Sequence, residues 1–270
     1  MSRLSVPKTY KLYLGGAFVR SESGRYDRHG DRNVPRASRK DVRDAVKAAR
    51  AAAGPWAART AYNRGQILYR AAEALESRAA DFTLERAEIE AAIDVLVHYA
   101  GWTDKLAPVL GGVNPVAAPF LSFTLPEPTG VVGVVAPDEP SLLGLVAELA
   151  PALAAGNTTV AVLSEPHPLA GLDLGEVLGV SDVPGGVVNL LSGRRTELTE
   201  ALAAHPGVGA VVDASDDPSL AETVDRLASE SVTRVRHAAP TSSYEAAVAD
   251  ALSRLEAVTE LKTAWHPVGA

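Results

Sequence analysis

Oxidising or transferring an acyl group through a covalent intermediate begins with a nucleophile, and this sequence supplies no thiol, because none of its 270 residues is cysteine. That absence also excludes disulfides and thiolate-bound metal. A serine such as Ser141 or Ser164 could replace the thiol only with a base in hydrogen-bond reach, and no Ser/His/Asp spacing provides one. The six histidines, His29, His98, His167, His205, His237 and His266, show no metal-ligand spacing. Neither a G-x-S-x-G, nor a P-loop, nor a G-x-G-x-x-G is present. The acidic turn Ala214–Pro218 could hold a hard cation or cap a helix, and the composition of such turns favours the cap.

The elements that would carry any chemistry are arranged around Pro128–Ser164. An apolar run, Val131–Val135, leads into a helix-period segment, Leu142–Ala155, closed by Gly156-Asn157, and a second β-branched run, Thr158–Val162. Buried strand, helix and buried strand in about thirty residues make a βαβ unit with a right-handed crossover on a parallel sheet. The alternation continues through helices near Leu169–Leu178, Thr196–Ala204, Pro218–Ser229 and Tyr244–Leu255. The intervening strands are Val187–Leu191, Val208–Val212 and Val232–Val235. The fold class is therefore α/β, a doubly wound parallel sheet of about five strands.

Upstream, Lys11–Val19 alternates around a Gly-Gly turn and reads as a hairpin, whereas polar Ser21–Ala37 reads as loop. Ser38 and Asp41 form a capping-box-like start to a helix that should end at Gly54-Pro55. Two further helical patterns cover Tyr62–Asp81 and Leu84–Lys105; Trp56, Arg64, Tyr99 and Trp102 read as packing residues. Two stretches alternate as strands with one apolar face. In Pro115–Pro128 the apolar positions are Leu121, Phe123 and Leu125, and in Val258–His266 they are Leu261 and Trp265, aligned with Thr263.

The wording of these segments resembles the aldehyde dehydrogenase superfamily. Gly130–Val135 and Leu149–Asn157 follow its PxGVVGxIxPWNFPLL and KLAPALAAGN motifs almost letter for letter. Val183–Asn189 and His205–Val208 resemble its GlPpGVVN and HPdV segments, and Glu260–Trp265 its C-terminal YTevKtvw. The resemblance persists to about Ser215 and then breaks off. Val235 falls near the glutamate of LELGGK, and the chain passes within about twenty residues to the C-terminal strand. The resemblance thus implies an evolved deletion of the catalytic domain with both flanks retained. It divides the chain into residues 1–114 (hairpin and helices), 115–128 (an oligomerisation strand), 129–256 (a Rossmann-like core) and 257–270 (a second oligomerisation strand).

What the family implies about chemistry can be carried over residue by residue. The asparagine that holds the oxyanion aligns with Glu139 and its neighbouring tryptophan with Asp138, and two carboxylates there would repel a developing oxyanion. The lysine and proline of KPSE align with Val162 and Leu163, while Ser164 and Glu165 remain. FTGS becomes Val212-Asp213-Ala214-Ser215, where Ala214 adds a methyl and Asp213, Asp216 and Asp217 add negative charge beside an anion site. Glu165, Gly193 and Ser215 are the remaining coenzyme contacts, with Arg194-Arg195 able to reach a phosphate or to sit as an exposed turn. The expected affinity for NAD or NADP is accordingly weak or nil.

With a net charge of −7, no basic cluster, no run of eighteen apolar residues and no leader pattern at Met1–Tyr10, nucleic acid and membrane are not expected partners and the cytoplasm is the expected compartment. Three functions follow as expectations. The first is a non-catalytic subunit, a pseudoenzyme, assembling with itself or with a full-length aldehyde dehydrogenase. The second is an NAD(P)-dependent oxidoreductase of an aldehyde, or a subunit lending its coenzyme site. The third is a small-ligand or nucleotide sensor.

Overall fold

The computed structural model describes residues 6–239 and 241–268. Strands β1 (Leu12–Leu14) and β2 (Ala17–Val19) form the expected hairpin, turning through Gly15 and Gly16 at φ of 61° and 81°. The region read as loop instead contains a second hairpin, β3 (Tyr26–His29) and β4 (Arg32–Pro35), joined by Gly30-Asp31. Gly30, at φ 62°, supplies the tight connection that a two-residue hairpin requires. The strands themselves carry no apolar alternation, so the period-2 signal was absent.

Helix α1 (Arg39–Ala57) starts with the predicted capping box: Ser38 Oγ accepts from Lys40 N, and Ser38 N donates to Asp41 Oδ2 at 2.8 Å. It runs past Gly54-Pro55, contrary to expectation. Proline removes one helical donor, but the next residue, Trp56, is buried and its indole N–H donates to Leu153 O at 3.2 Å, which holds the last turn in place. Helices α2 (Ala61–Ser77), α3 (Arg86–Ala100) and the short α4 (Leu106–Leu110) follow, then β5 (Gly112–Asn114) and β6 (Phe120–Pro128). Neither α4 nor β5 is legible in the sequence; each is too short to show a period.

The α/β core then runs β7 (Val131–Val135), α5 (Leu143–Ala154), β8 (Thr158–Val162), α6 (Leu169–Leu178), β9 (Val188–Leu191), α7 (Arg195–Ala203), β10 (Ala210–Asp213), α8 (Pro218–Ser229) and β11 (Arg234–His237). The last predicted helix is two, α9 (Tyr244–Ala249) and α10 (Ala251–Glu256), broken at Asp250, before β12 (Thr259–Pro267). The main sheet has the order β11-β10-β7-β8-β9-β1-β2, its first five strands parallel and the N-terminal hairpin added antiparallel beside β9. Successive strand residues serve opposite faces: Val132 and Val134 join the core under α2, α3 and α5, while Val131, Val160 and Val162 join that under α1 and α7.

Two polar devices tie this body together. On α5, Glu148 is 2% exposed and accepts from Arg236 Nη1 at 2.7 Å and from Arg254 Nη1, while Arg254 Nη2 donates to Thr241 Oγ1. This clasp fastens the segment where the resemblance is lost onto α5. Buried Asn157 accepts from Gly130 N at 2.8 Å and donates to Ala152 O and to Val258 O, joining the roots of β7, α5 and β12. Among the described residues no helix is long and apolar enough to cross a membrane.

β12, β6 and β5 form a separate antiparallel sheet in which β12 and β6 pair over their whole length, from Thr259↔Pro128 to Pro267↔Phe120. The two apolar sets lie on opposite faces. Residues directly across an antiparallel pair share a face, and Leu261 lies across from Pro126 and Trp265 across from Ser122, not from the Leu121, Phe123 and Leu125 set.

Candidate functional site

The loops leaving β7, β8, β9 and β10 meet at one end of the parallel sheet, where α/β folds place ligands. There a cavity of about 640 Å³ is lined by Asp138, Glu165, Gly193, Arg194, Arg195 and Asp217. Its far wall comes from the unforeseen hairpin, through Asp27, Arg28 and His29. Of the three contacts expected, Glu165 and Gly193 line this cavity together. Ser215 does not line it, although Asp217 of the same loop after β10 does.

Glu165 follows β8 and is fully engaged: Oε2 accepts from Arg195 N at 2.8 Å and Oε1 from Arg194 Nη1 at 2.6 Å. Partial burial pushes its carboxyl up, but the Arg195 N–H and the Arg194 guanidinium outweigh this and hold it below the usual range. Arg195 N opens α7, so the positive end of that helix already holds a carboxylate from its own chain. Gly193 has φ 152°, and a Cβ there would come within 3.0 Å of Ala37 N, so the glycine is required by backbone packing.

Arg195 is 8% exposed, and its guanidinium spans the cavity to Asp138, donating to both carboxylate oxygens. Its Nε, also buried, has no partner. Asp138 additionally accepts from Ser164 Oγ at 2.8 Å, so that serine faces a carboxylate already neutralised by arginine and no imidazole. Glu139 points away, 79% exposed at its side chain, with His167 Nε2 at 3.2 Å.

The next helix repeats the pattern. At the start of α8, Asp217 Oδ1 accepts from Ser219 N at 2.9 Å and Leu220 N at 3.3 Å. The Ser219 hydroxyl and these N–H groups lower its pKa. The acidic turn is therefore a helix cap. Ser215 N donates to buried Asp213 Oδ1 at 3.0 Å, its Oγ faces Asp217 N at 3.4 Å, and the Ala214 methyl packs into the core. Among the described residues no group of three metal-ligating side chains comes together.

Both helix N-termini that could receive the phosphates of a dinucleotide thus carry carboxylates of this chain, and a half-buried ion pair crosses the space between them. The residues present do not fit a pyrophosphate in this arrangement. The sequence singles out Arg194 and Arg195 but not their partners Glu165 and Asp138; its one signal is that opposite charges sit in three loops at strand ends, after β7, β8 and β9.

The family pattern for "Aldehyde dehydrogenase family" matches residues 26–251. The chain is 33% identical over 224 residues to "Retinal dehydrogenase 2" of Gallus gallus, covering 74% of this chain and 43% of that protein. To "2-hydroxymuconic semialdehyde dehydrogenase" of Pseudomonas putida it is 32% identical over 257 residues, covering 84% and 51%. Among solved structures, the NAD+ complex of an aldehyde dehydrogenase from Bacillus cereus superposes with a TM-score of 0.78 at 27% identity, over 85% of this chain and 50% of that one. The chain spans about half the length of the relatives it matches. By sequence and by fold, it belongs to the aldehyde dehydrogenase family.

Proposed function

We propose that this chain is a non-catalytic, aldehyde-dehydrogenase-like subunit that assembles with itself or with a full-length aldehyde dehydrogenase in the cytoplasm. The observation that carries this reading is the self-filled crevice. Glu165 is bound to Arg194 and Arg195, Arg195 to Asp138, and Asp217 to its own helix, so the charges and helix ends of the crevice are answered within the chain. The absence of cysteine removes the thiolate that would attack an aldehyde, and Glu139 stands where the family holds the oxyanion. The three-stranded arm, in contrast, keeps its strands paired in full register.

A second reading, a subunit that lends a coenzyme site to a partner, is favoured by one observation: Glu165 and Gly193 still line a single cavity. Calorimetric titration of the purified chain with NAD+ and NADP+ separates the two. The first reading expects no saturable heat and no reduced coenzyme on adding aldehyde. Saturable binding would remove it in favour of the second. Affinity purification from the native organism then identifies whether a full-length relative accompanies the chain.

A further inference from the structure

We infer that β12 is a self-complementary edge through which two copies of this chain join their three-stranded sheets into one six-stranded sheet about a two-fold axis at Thr263. The inference rests on the subunit reading above and makes it specific: the partner is a second copy and the contact is one strand.

The direction of each backbone group on β12 follows from its ladder with β6. Val258 O accepts from Thr129 N at 3.3 Å, and Val268 N donates to Pro119 O at 3.0 Å. Hydrogen-bonded and non-hydrogen-bonded pairs alternate along an antiparallel ladder. The even-numbered residues between these two ends therefore bond inward to β6. The odd-numbered ones, Thr259, Leu261, Thr263, Trp265 and Pro267, aim their backbone groups at the outer edge, which no described strand covers. An uncovered edge of nine residues invites a further strand.

The outer edge is not uniform, and its pattern selects a partner. Thr259 O is already satisfied by Arg234 Nη1 at 2.6 Å, and Pro267 has no N–H to give. In an antiparallel pair of β12 strands centred on Thr263, the strand's midpoint, Thr259 lies opposite the partner's Pro267. The spent acceptor thus meets the missing donor. Leu261 and Trp265 of each copy exchange two hydrogen bonds with the partner's Trp265 and Leu261, and the two Thr263 residues exchange two more. A two-fold makes the contact isologous, so a single strand must be complementary to its own reverse.

The side chains obey the same symmetry. Leu261 and Trp265, 55% and 60% exposed, become apolar cross-strand pairs on one face. On the other face Glu260 lies opposite the partner's His266, and Lys262, already ion-paired with Glu127, lies opposite Ala264. Centring on Lys262 would place two lysines directly opposite each other, and centring on Ala264 would place Lys262 opposite His266. Only the Thr263 register pairs the strand over its whole length, and it sets no two lysines opposite each other.

Because the chain has no cysteine, one introduced thiol reports the axis without ambiguity. Residues in a hydrogen-bonded antiparallel pair lie about 5.5 Å apart at Cα, inside the range a disulfide spans. The expected result is a concentration-dependent dimer by sedimentation velocity. T263C should convert to a covalent dimer under mild oxidation, whereas V180C, at an exposed turn far from the edge, should not. T263P should abolish the dimer, since it removes only an outward donor. A dimer that persists in T263P, or that T263C fails to trap, would overturn the inference by placing the contact elsewhere. A chain that is monomeric alone yet co-elutes with a full-length relative would also overturn it while leaving the subunit reading intact. A monomer in both settings would overturn both.

Discussion

The crevice at the end of the parallel sheet and the outer edge of β12 treat unsatisfied groups in opposite ways. In the crevice, the positive helix ends of α7 and α8, which could take a ligand's phosphates, are filled from within by Glu165 and Asp217, and the gap is bridged by Arg195 and Asp138. At β12, the outward backbone groups of Leu261, Thr263 and Trp265 are left open beside two exposed apolar side chains. The same fold thus answers its polar groups internally at one end and leaves them unanswered at the other. Here the charges of the body pair with one another, and the edge of the arm is uncovered by any described strand.

If the body is closed, breaking its internal pairs should reduce stability and leave association alone. The largest effect is expected for Arg254→Met, which leaves Glu148, nearly inaccessible, with Arg236 alone. Removing one of the two arginines from a buried carboxylate costs about 1.5–3 kcal/mol, the range for a hydrogen bond to a charged group, read by denaturant unfolding. A loss below about 1 kcal/mol would mean the clasp is not what secures the C-terminal segment. Asp138→Ala strands the buried Arg195 guanidinium at a more open site, so solvent screening reduces the expected loss to about 1 kcal/mol.

A smaller effect is expected from pH. Glu165 has a folded pKa below its unfolded one, so its contribution is fully present above the unfolded value and is lost as pH falls through the folded value. Wild type should therefore lose more stability than Glu165→Gln from about pH 5 downward. Parallel profiles would show that the carboxylate is not held by its arginines. The smallest effect on the monomer belongs to Thr263→Pro, expected within about 0.5 kcal/mol because no internal ladder bond is removed. A larger loss would show that the edge serves the chain's own stability and blur the contrast between body and arm.

The five parallel strands, the capping box at Ser38 and the hairpin at Gly15-Gly16 were legible in sequence because each has a local signal: apolar runs, a spaced pair of side chains, a glycine turn. The β3–β4 hairpin was not, since Tyr26–His29 and Arg32–Pro35 are polar and only Gly30-Asp31 marks the turn. The end of α1 was misjudged because Trp56, packed against Leu153, outweighs Pro55. At the crevice, residue types pointed to the right loops, but the pairing of Arg194 and Arg195 with Glu165 and Asp138 joins positions 29 to 57 residues apart, and only the fold sets such distances. The opposite orientation of the two apolar sets on β6 and β12 depends on register, which neither strand encodes by itself.

The amide of Asn157 acquires a mechanical meaning from its position. It is hydrogen-bonded at once to the turn before β7, the end of α5 and Val258, the residue from which β12 departs. A nine-residue strand extends about 30 Å, so the arm acts as a lever held at its root by this side chain together with Arg234, which donates to Thr259 O and Glu260. A tilt of about 5° at the root becomes a displacement of about 2.6 Å at the tip of a strand of that length. In the dimer inferred above, the bearing of one body relative to the other would thereby be set deep inside each body, far from the edge where they touch.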